Sequence, residues 1–171
     1  TLVSGPTNLK SPEGVKIFNV SSADEMYEKT MENLPVDVAI FTAAVGDFRV
    51  KQMSLEKIKK QNFEKIEIIK TKDILDYTSK HNKLRPKLVI GFAAETSNLD
   101  ENSKNKLIEK NCDWIVANDV SNKKIGFDSE YNEVKIFQRN KPNIENISIA
   151  TKEMIAKKLV EKISNELKAN G

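Results

Sequence analysis

The 171 residues contain only one cysteine, one histidine and one tryptophan. A lone Cys112 excludes a disulfide framework, and with a lone His81 it excludes a Cys/His zinc site as well. One histidine leaves no His pair for a metallohydrolase. A Ser-His-Asp triad would have to rest on His81, which lies in a polar stretch. No apolar run approaches the roughly 20 residues that a membrane span requires, so no membrane partner is expected. The chain opens on Thr1-Leu2-Val3-Ser4-Gly5-Pro6 with no signal-peptide pattern, which makes the cytoplasm the expected compartment. Opening without Met, it also reads as a piece of something longer.

Charge of one sign is scarce too. Lys and Arg number 28 against 25 Asp and Glu, a net charge of +3. The two signs are interspersed, whereas a nucleic-acid binder clusters its basic residues on one face, so no nucleic-acid partner is expected.

What is present is an alternation of short apolar runs with helix-period segments. Thr1–Ser4 and Val15–Val20 read as strands. Ser22 with Glu25 three residues on has the spacing of a capping box, opening a helix that carries Met26, Thr30 and Leu34 and stops at Pro35. The run Val36–Val45 is apolar without alternation, as a central strand buried on both faces would be. Residues 46–62 read as a long polar, Lys-rich loop. Lys65–Lys70 reads as a strand, and Asp73 opens a short helix with Ile74, Leu75 and Tyr77. Leu88–Ala94 and Trp114–Ala117 are predicted buried strands around a helix, Leu99–Asn111, with Leu107 and Ile108 inward. Glu133–Gln138 and Asn143–Ile149 form a predicted hairpin, and Thr151–Lys168 an amphipathic helix with Met154, Ile155, Leu159, Ile163 and Leu167. The expected fold is α/β: a Rossmann-like, mostly parallel sheet flanked by helices, with a C-terminal β-hairpin edge.

In such folds ligands sit at the carboxyl ends of the strands. Three consecutive predicted strand ends carry suggestive residues. Ala43-Ala44-Val45-Gly46-Asp47 offers small residues for close backbone approach and a carboxylate for Mg²⁺ or a ribose hydroxyl, or else a turn aspartate. Gly91-Phe92-Ala93-Ala94-Glu95 offers an aromatic for stacking and a carboxylate, or else a core Phe and a helix-entry acid. Asn118, in Ala117-Asn118-Asp119, can both donate and accept as base-edge recognition requires, or close an Asx turn. The lysines of Lys57-Ile58-Lys59-Lys60 could fold over a triphosphate as a lid, or simply be solvated.

With Val3-Ser4-Gly5-Pro6, Phe48-Arg49 and Gly126-Phe127-Asp128-Ser129 added, these motifs together resemble bacterial phosphopantothenate–cysteine ligase across the whole chain and in order. In most bacteria that ligase is the C-terminal half of a bifunctional coenzyme A biosynthesis protein. The N-terminal half is a flavin-dependent decarboxylase, and FMN would matter only if that half precedes Thr1. The resemblance implies an enzyme of coenzyme A biosynthesis that uses CTP and Mg²⁺, with a homodimer as the expected assembly. The carboxylate of 4′-phosphopantothenate would attack the α-phosphate of CTP, and the amine of cysteine would displace CMP from the resulting acyl-cytidylate. By the resemblance, Ala43, Ala44 and Val45 present backbone groups to the nucleotide, and Asp47 meets the ribose or the metal. Lys57 binds the triphosphate and is the catalytic group. Phe92, Ala93, Ala94 and Glu95 line the cytidine pocket, with Asn118 and Phe127 at its edge. Gly46 stands where Ala is more usual.

The family begins with a strand and a Gly-rich loop that nothing here matches. The expectation is therefore one ligase domain over residues 1–171, lacking its first strand and that loop, which leaves the activity of the fragment open. A nicotinamide-dependent oxidoreductase would need a G-x-G-x-x-G turn, which the six widely spaced glycines do not supply. A truncated, non-catalytic nucleotide-binding or assembly module of the same fold is the alternative.

Overall fold

The computed structural model describes residues 1–52, 65–121 and 129–169. In chain order the elements are β1 (Leu2–Ser4), β2 (Ile17–Asn19), α1 (Ala23–Glu32), β3 (Val38–Phe41), β4 (Phe48–Val50), β5 (Ile68–Lys70), α2 (Ile74–Ser79), β6 (Leu88–Glu95), α3 (Leu99–Glu109), β7 (Trp114–Asp119), β8 (Tyr131–Gln138), β9 (Lys141–Thr151) and α4 (Lys152–Ala169). They fall into two compact units. One comprises Thr1–Val36 with Ala43–Arg85, the other Asp37–Thr42 with Pro86–Gly171.

In the first unit β1 and β2 pair in parallel, Leu2 opposite Ile17 and Ser4 opposite Asn19. The Ser22 hydroxyl accepts the Glu25 N–H at 3.2 Å and caps α1. The Glu25 carboxylate reaches one residue further back than a standard capping box, accepting the Ser21 N–H at 2.8 Å. Asp73 caps α2 in the same way, accepting the Asp76 N–H at 2.9 Å. Tyr27 of α1 and Tyr77 of α2 meet edge to face, ring centroids 5.3 Å apart, which couples the two helices. β4 and β5 form an antiparallel ribbon with Arg49 opposite Ile69.

The second unit is built on a five-stranded sheet in the order β3-β6-β7-β8-β9. β3, β6 and β7 run parallel, while β8 and β9 add an antiparallel hairpin at one edge. One face carries α4. There Leu88, Ile90, Trp114, Val116, Val134, Ile136 and Ile147 pack with Ile155, Leu159 and Ile163 of the helix. Each of these aliphatic side chains, taken fully from water, contributes about 1.5–3 kcal/mol. The opposite face carries α3, tied down by hydrogen bonds from Lys135 to Asp100 and from Arg139 to the carbonyl of Leu107. The expected α/β class, with parallel strands between helices and a hairpin edge, is what the chain adopts.

Several local expectations need correcting. The apolar run Val36–Val45 yields only β3, an edge strand of the five-stranded sheet among the described residues, and its Ile40 is 48% exposed. Apolarity marks a strand that can be buried, but not its place in the sheet. The polar stretch after Gly46 contains the strand β4, whose partner β5 supplies the ladder that local sequence does not reveal. Ile108 points to solvent at 74% exposure while Leu107 is buried, since successive helix positions lie about 100° apart. Met154 on α4 is likewise half-exposed. Cys112 is fully buried and serves as a core thiol.

Candidate functional site

The motifs predicted at the ends of β6 and β7 are the last residues of those strands. In the parallel register Phe92 is opposite Val116, Ala93 opposite Ala117, Ala94 opposite Asn118 and Glu95 opposite Asp119. Side chains alternate between faces, so Ala94 and Asn118 share the α4 face while Glu95 and Asp119 share the α3 face. The structure thus brings Phe92, Ala93, Ala94, Glu95 and Asn118 to one end of one sheet.

Their environments differ. Phe92 is half-buried and packs on the α4-side core, leaving part of its ring open. Ala93 is 2% exposed, so only its backbone can serve a ligand, whereas the methyl of Ala94 is exposed. Asn118 is half-buried, and its amide has no partner among the described residues. Glu95 accepts a hydrogen bond at 2.9 Å from the amide of Asn102, a residue of α3. The Asp119 carboxylate accepts the Ser121 N–H at 2.8 Å, and this contact with Ser121 holds its pKa below the usual aspartate range.

The first unit holds the other set. Ala43, Ala44 and Asp47 are exposed, and Val45 donates its N–H to the Ala43 carbonyl at 3.1 Å. The loop is clamped by Thr71, whose backbone N–H donates to the Asp47 carbonyl at 2.9 Å and whose hydroxyl donates to the Gly46 carbonyl. Sequence reading missed Thr71. Its role depends on the ribbon of β4 and β5, and a contact 25 residues away leaves no local signature. Arg49 is held by an ion pair with Asp24 at 2.9 Å. The Asp47 carboxylate has no partner among the described residues. A Cβ added at Gly46 would meet only the Phe48 carbonyl oxygen, at 3.7 Å, so the loop accommodates alanine there. Lys57 and Phe127 lie outside the described residues.

At the carboxyl ends of β1 and β2 an open cavity of about 470 Å³ is lined by Gly5, Pro6, Thr7, Leu9, Ser11, Asn19, Val20, Ser21 and Glu25. Among the described residues no group of three or more His, Cys, Asp or Glu side chains is arranged to hold a metal ion, and no helix is long and apolar enough to cross a membrane.

Small residues, the half-buried Asn118 amide and the Glu95 carboxylate at the carboxyl ends of the parallel strands β6 and β7 make a surface suited to a polar ligand that approaches the backbone closely. The chain is 39% identical over 165 residues to the coenzyme A biosynthesis bifunctional protein CoaBC of Haemophilus influenzae, covering 95% of this chain and 40% of that protein. It is 38% identical to the protein of the same name from Borreliella burgdorferi, covering 94% of this chain and 40% of that one. The chain therefore spans about two-fifths of the length of these curated relatives. Among solved structures, the C-terminal domain of the coenzyme A biosynthesis bifunctional protein CoaBC matches with a TM-score of 0.76 at 35% identity, over 98% of this chain and 74% of that one. The model of the DNA/pantothenate metabolism flavoprotein C-terminal domain matches residues 1–167, and the chain belongs to that family.

Proposed function

We propose that the chain forms one phosphopantothenate–cysteine ligase domain of coenzyme A biosynthesis. It would act in the cytoplasm as a homodimer on 4′-phosphopantothenate, L-cysteine and CTP. The observation that carries this reading is similarity along 95% of the chain to proteins named for coenzyme A biosynthesis. In the first step a carboxylate oxygen of phosphopantothenate attacks the α-phosphorus of CTP, and the bond to pyrophosphate breaks. In the second, the cysteine amine attacks the acyl carbon, loses a proton, and CMP departs. Neither step requires a covalent enzyme nucleophile, so a buried Cys112 and a single histidine are no obstacle.

Catalysis then rests on positioning and on offsetting phosphate charge. The backbone at Ala43, Ala44 and Val45 meets the nucleotide. Lys57 binds the triphosphate and stabilises the charge that develops on the leaving pyrophosphate. The open part of the Phe92 ring, the backbone of Ala93, the Ala94 methyl and the Glu95 carboxylate line the cytidine pocket, with Asn118 and Phe127 at its edge. Mg²⁺ takes one or two carboxylates together with substrate phosphates, so the exposed carboxylate of Asp47, unpartnered among the described residues, suits an ion that arrives on the triphosphate. When bound, the ion would supply charge neutralisation at the phosphates.

The test is pyrophosphate release from CTP with each substrate omitted in turn. Release that needs both CTP and phosphopantothenate supports the ligase. Nucleotide stabilisation without any release favours a non-catalytic binding module, and stabilisation by NADH alone removes both readings.

A further inference from the structure

We propose that Asn102 is a positioning residue that fixes the Glu95 carboxylate for a donor group of the bound nucleotide. This rests on the ligase reading, in which Glu95 faces the nucleotide. The Asn102 amide has two N–H groups and spends both on the strand end. One donates to Glu95 Oε2 at 2.9 Å and the other to the Ser97 carbonyl at 3.1 Å. The loop it bridges is short and unusual. Asn98, at the N-cap of α3, holds a left-handed φ of 48° and makes no side-chain cap bond. The customary tie at the start of a helix is therefore absent, and Asn102, one turn further in, links α3 to β6.

The contact leaves Glu95 half-buried, with no partner for its second oxygen among the described residues. Two other carboxylates on that side are already engaged. Asp119, opposite on β7, accepts from Ser121, and Asp100 of α3 pairs with Lys135 of β8 at 2.8 Å. Glu95 is thus a carboxylate with one oxygen anchored and one open. A glutamate side chain ordered before the ligand arrives spares the ligand that ordering. Asn102 sits seven residues beyond Glu95 and belongs to no motif, so sequence reading passed over it.

The test is a double-mutant cycle on CTP affinity, measured by calorimetry on the 171-residue chain. Asn102→Ala is expected to weaken binding about tenfold in the presence of Glu95 and to add no loss in a Glu95→Ala background. Asn102→Asp, which replaces the donor with a repelling carboxylate, follows the same pattern. The tie to Ser97 survives Glu95→Ala, so the part of the melting-temperature loss due to it is equal in both backgrounds. An affinity loss of equal size in both backgrounds, or none in either, overturns the role of Asn102 while leaving the ligase reading standing. A parent chain that does not bind CTP overturns both.

Discussion

Glu95 and Asp119 stand opposite each other at the paired ends of β6 and β7, and the Val120 N–H donates to the Glu95 carbonyl at 3.0 Å just beyond them. Two carboxylates therefore share one face of the sheet at its carboxyl end. Each is held by a separate donor, Glu95 by Asn102 and Asp119 by the Ser121 N–H, so neither depends on the other for a partner.

One and two rows closer to the interior, Ala94 and Ala93 separate binding from folding. Ala94 is exposed, so Ala94→Leu is expected to shift the melting temperature by little and to weaken CTP binding by tenfold or more, about 1.4 kcal/mol. Ala93 is 2% exposed, and Ala93→Leu overpacks the α3 side at a cost of about 1–3 kcal/mol. Thermal unfolding together with calorimetry reads both. A large stability loss at Ala94 with unchanged affinity would count against its place at the nucleotide.

The loop before β4 tolerates a methyl group. Gly46→Ala is expected to change stability by no more than about 0.5 kcal/mol and to leave turnover intact. By contrast, Thr71→Val removes the hydroxyl that holds the Gly46 carbonyl and is expected to lower CTP affinity. Equal behaviour of the two variants would show that the clamp does not set the loop.

The start of α1 gives a pH signature. The Ser21 N–H and hydroxyl hold Glu25 below the usual glutamate range. A carboxylate whose folded pKa lies below its unfolded one stabilises the fold above the unfolded value, and that contribution is lost as pH falls through the folded value. Glu25→Gln is therefore expected to be less stable than the parent at pH 7 and to converge with it as pH falls through the folded value, which lies below the unfolded value of about 4.3. Ser22→Ala, which removes the cap itself, should cost about 1 kcal/mol, most of it retained at low pH because the bond from the Glu25 N–H does not titrate. Chemical denaturation at several pH values distinguishes the two.

Much of this was legible in sequence because the responsible physics is local. Ser22 and Asp73 announce their helices through side chains that reach three residues ahead. The runs that became β6 and β7 are apolar because both of their faces are covered. What escaped depends on distant partners. The Asp113 carboxylate accepts the Val89 N–H at 2.7 Å, and the Arg139 guanidinium donates to the Cys112 carbonyl at 3.0 Å, 27 residues away. Thr71 and Asn102 belong to the same class: each is polar, matches no motif, and becomes meaningful only once a strand pairing or a helix entry brings it to its partner. The exposed edge position of β3 escaped because an apolar run reports the capacity for burial, not its extent.

The proposed chemistry makes one oxygen atom traceable. With ¹⁸O in the carboxylate of 4′-phosphopantothenate, an acyl-cytidylate route carries one labelled oxygen into CMP when the cysteine amine takes the acyl group. Mass spectrometry of the nucleotide product is expected to show CMP one label heavier and pyrophosphate unlabelled. Label in pyrophosphate, or amide formation with unlabelled CMP, would contradict the account.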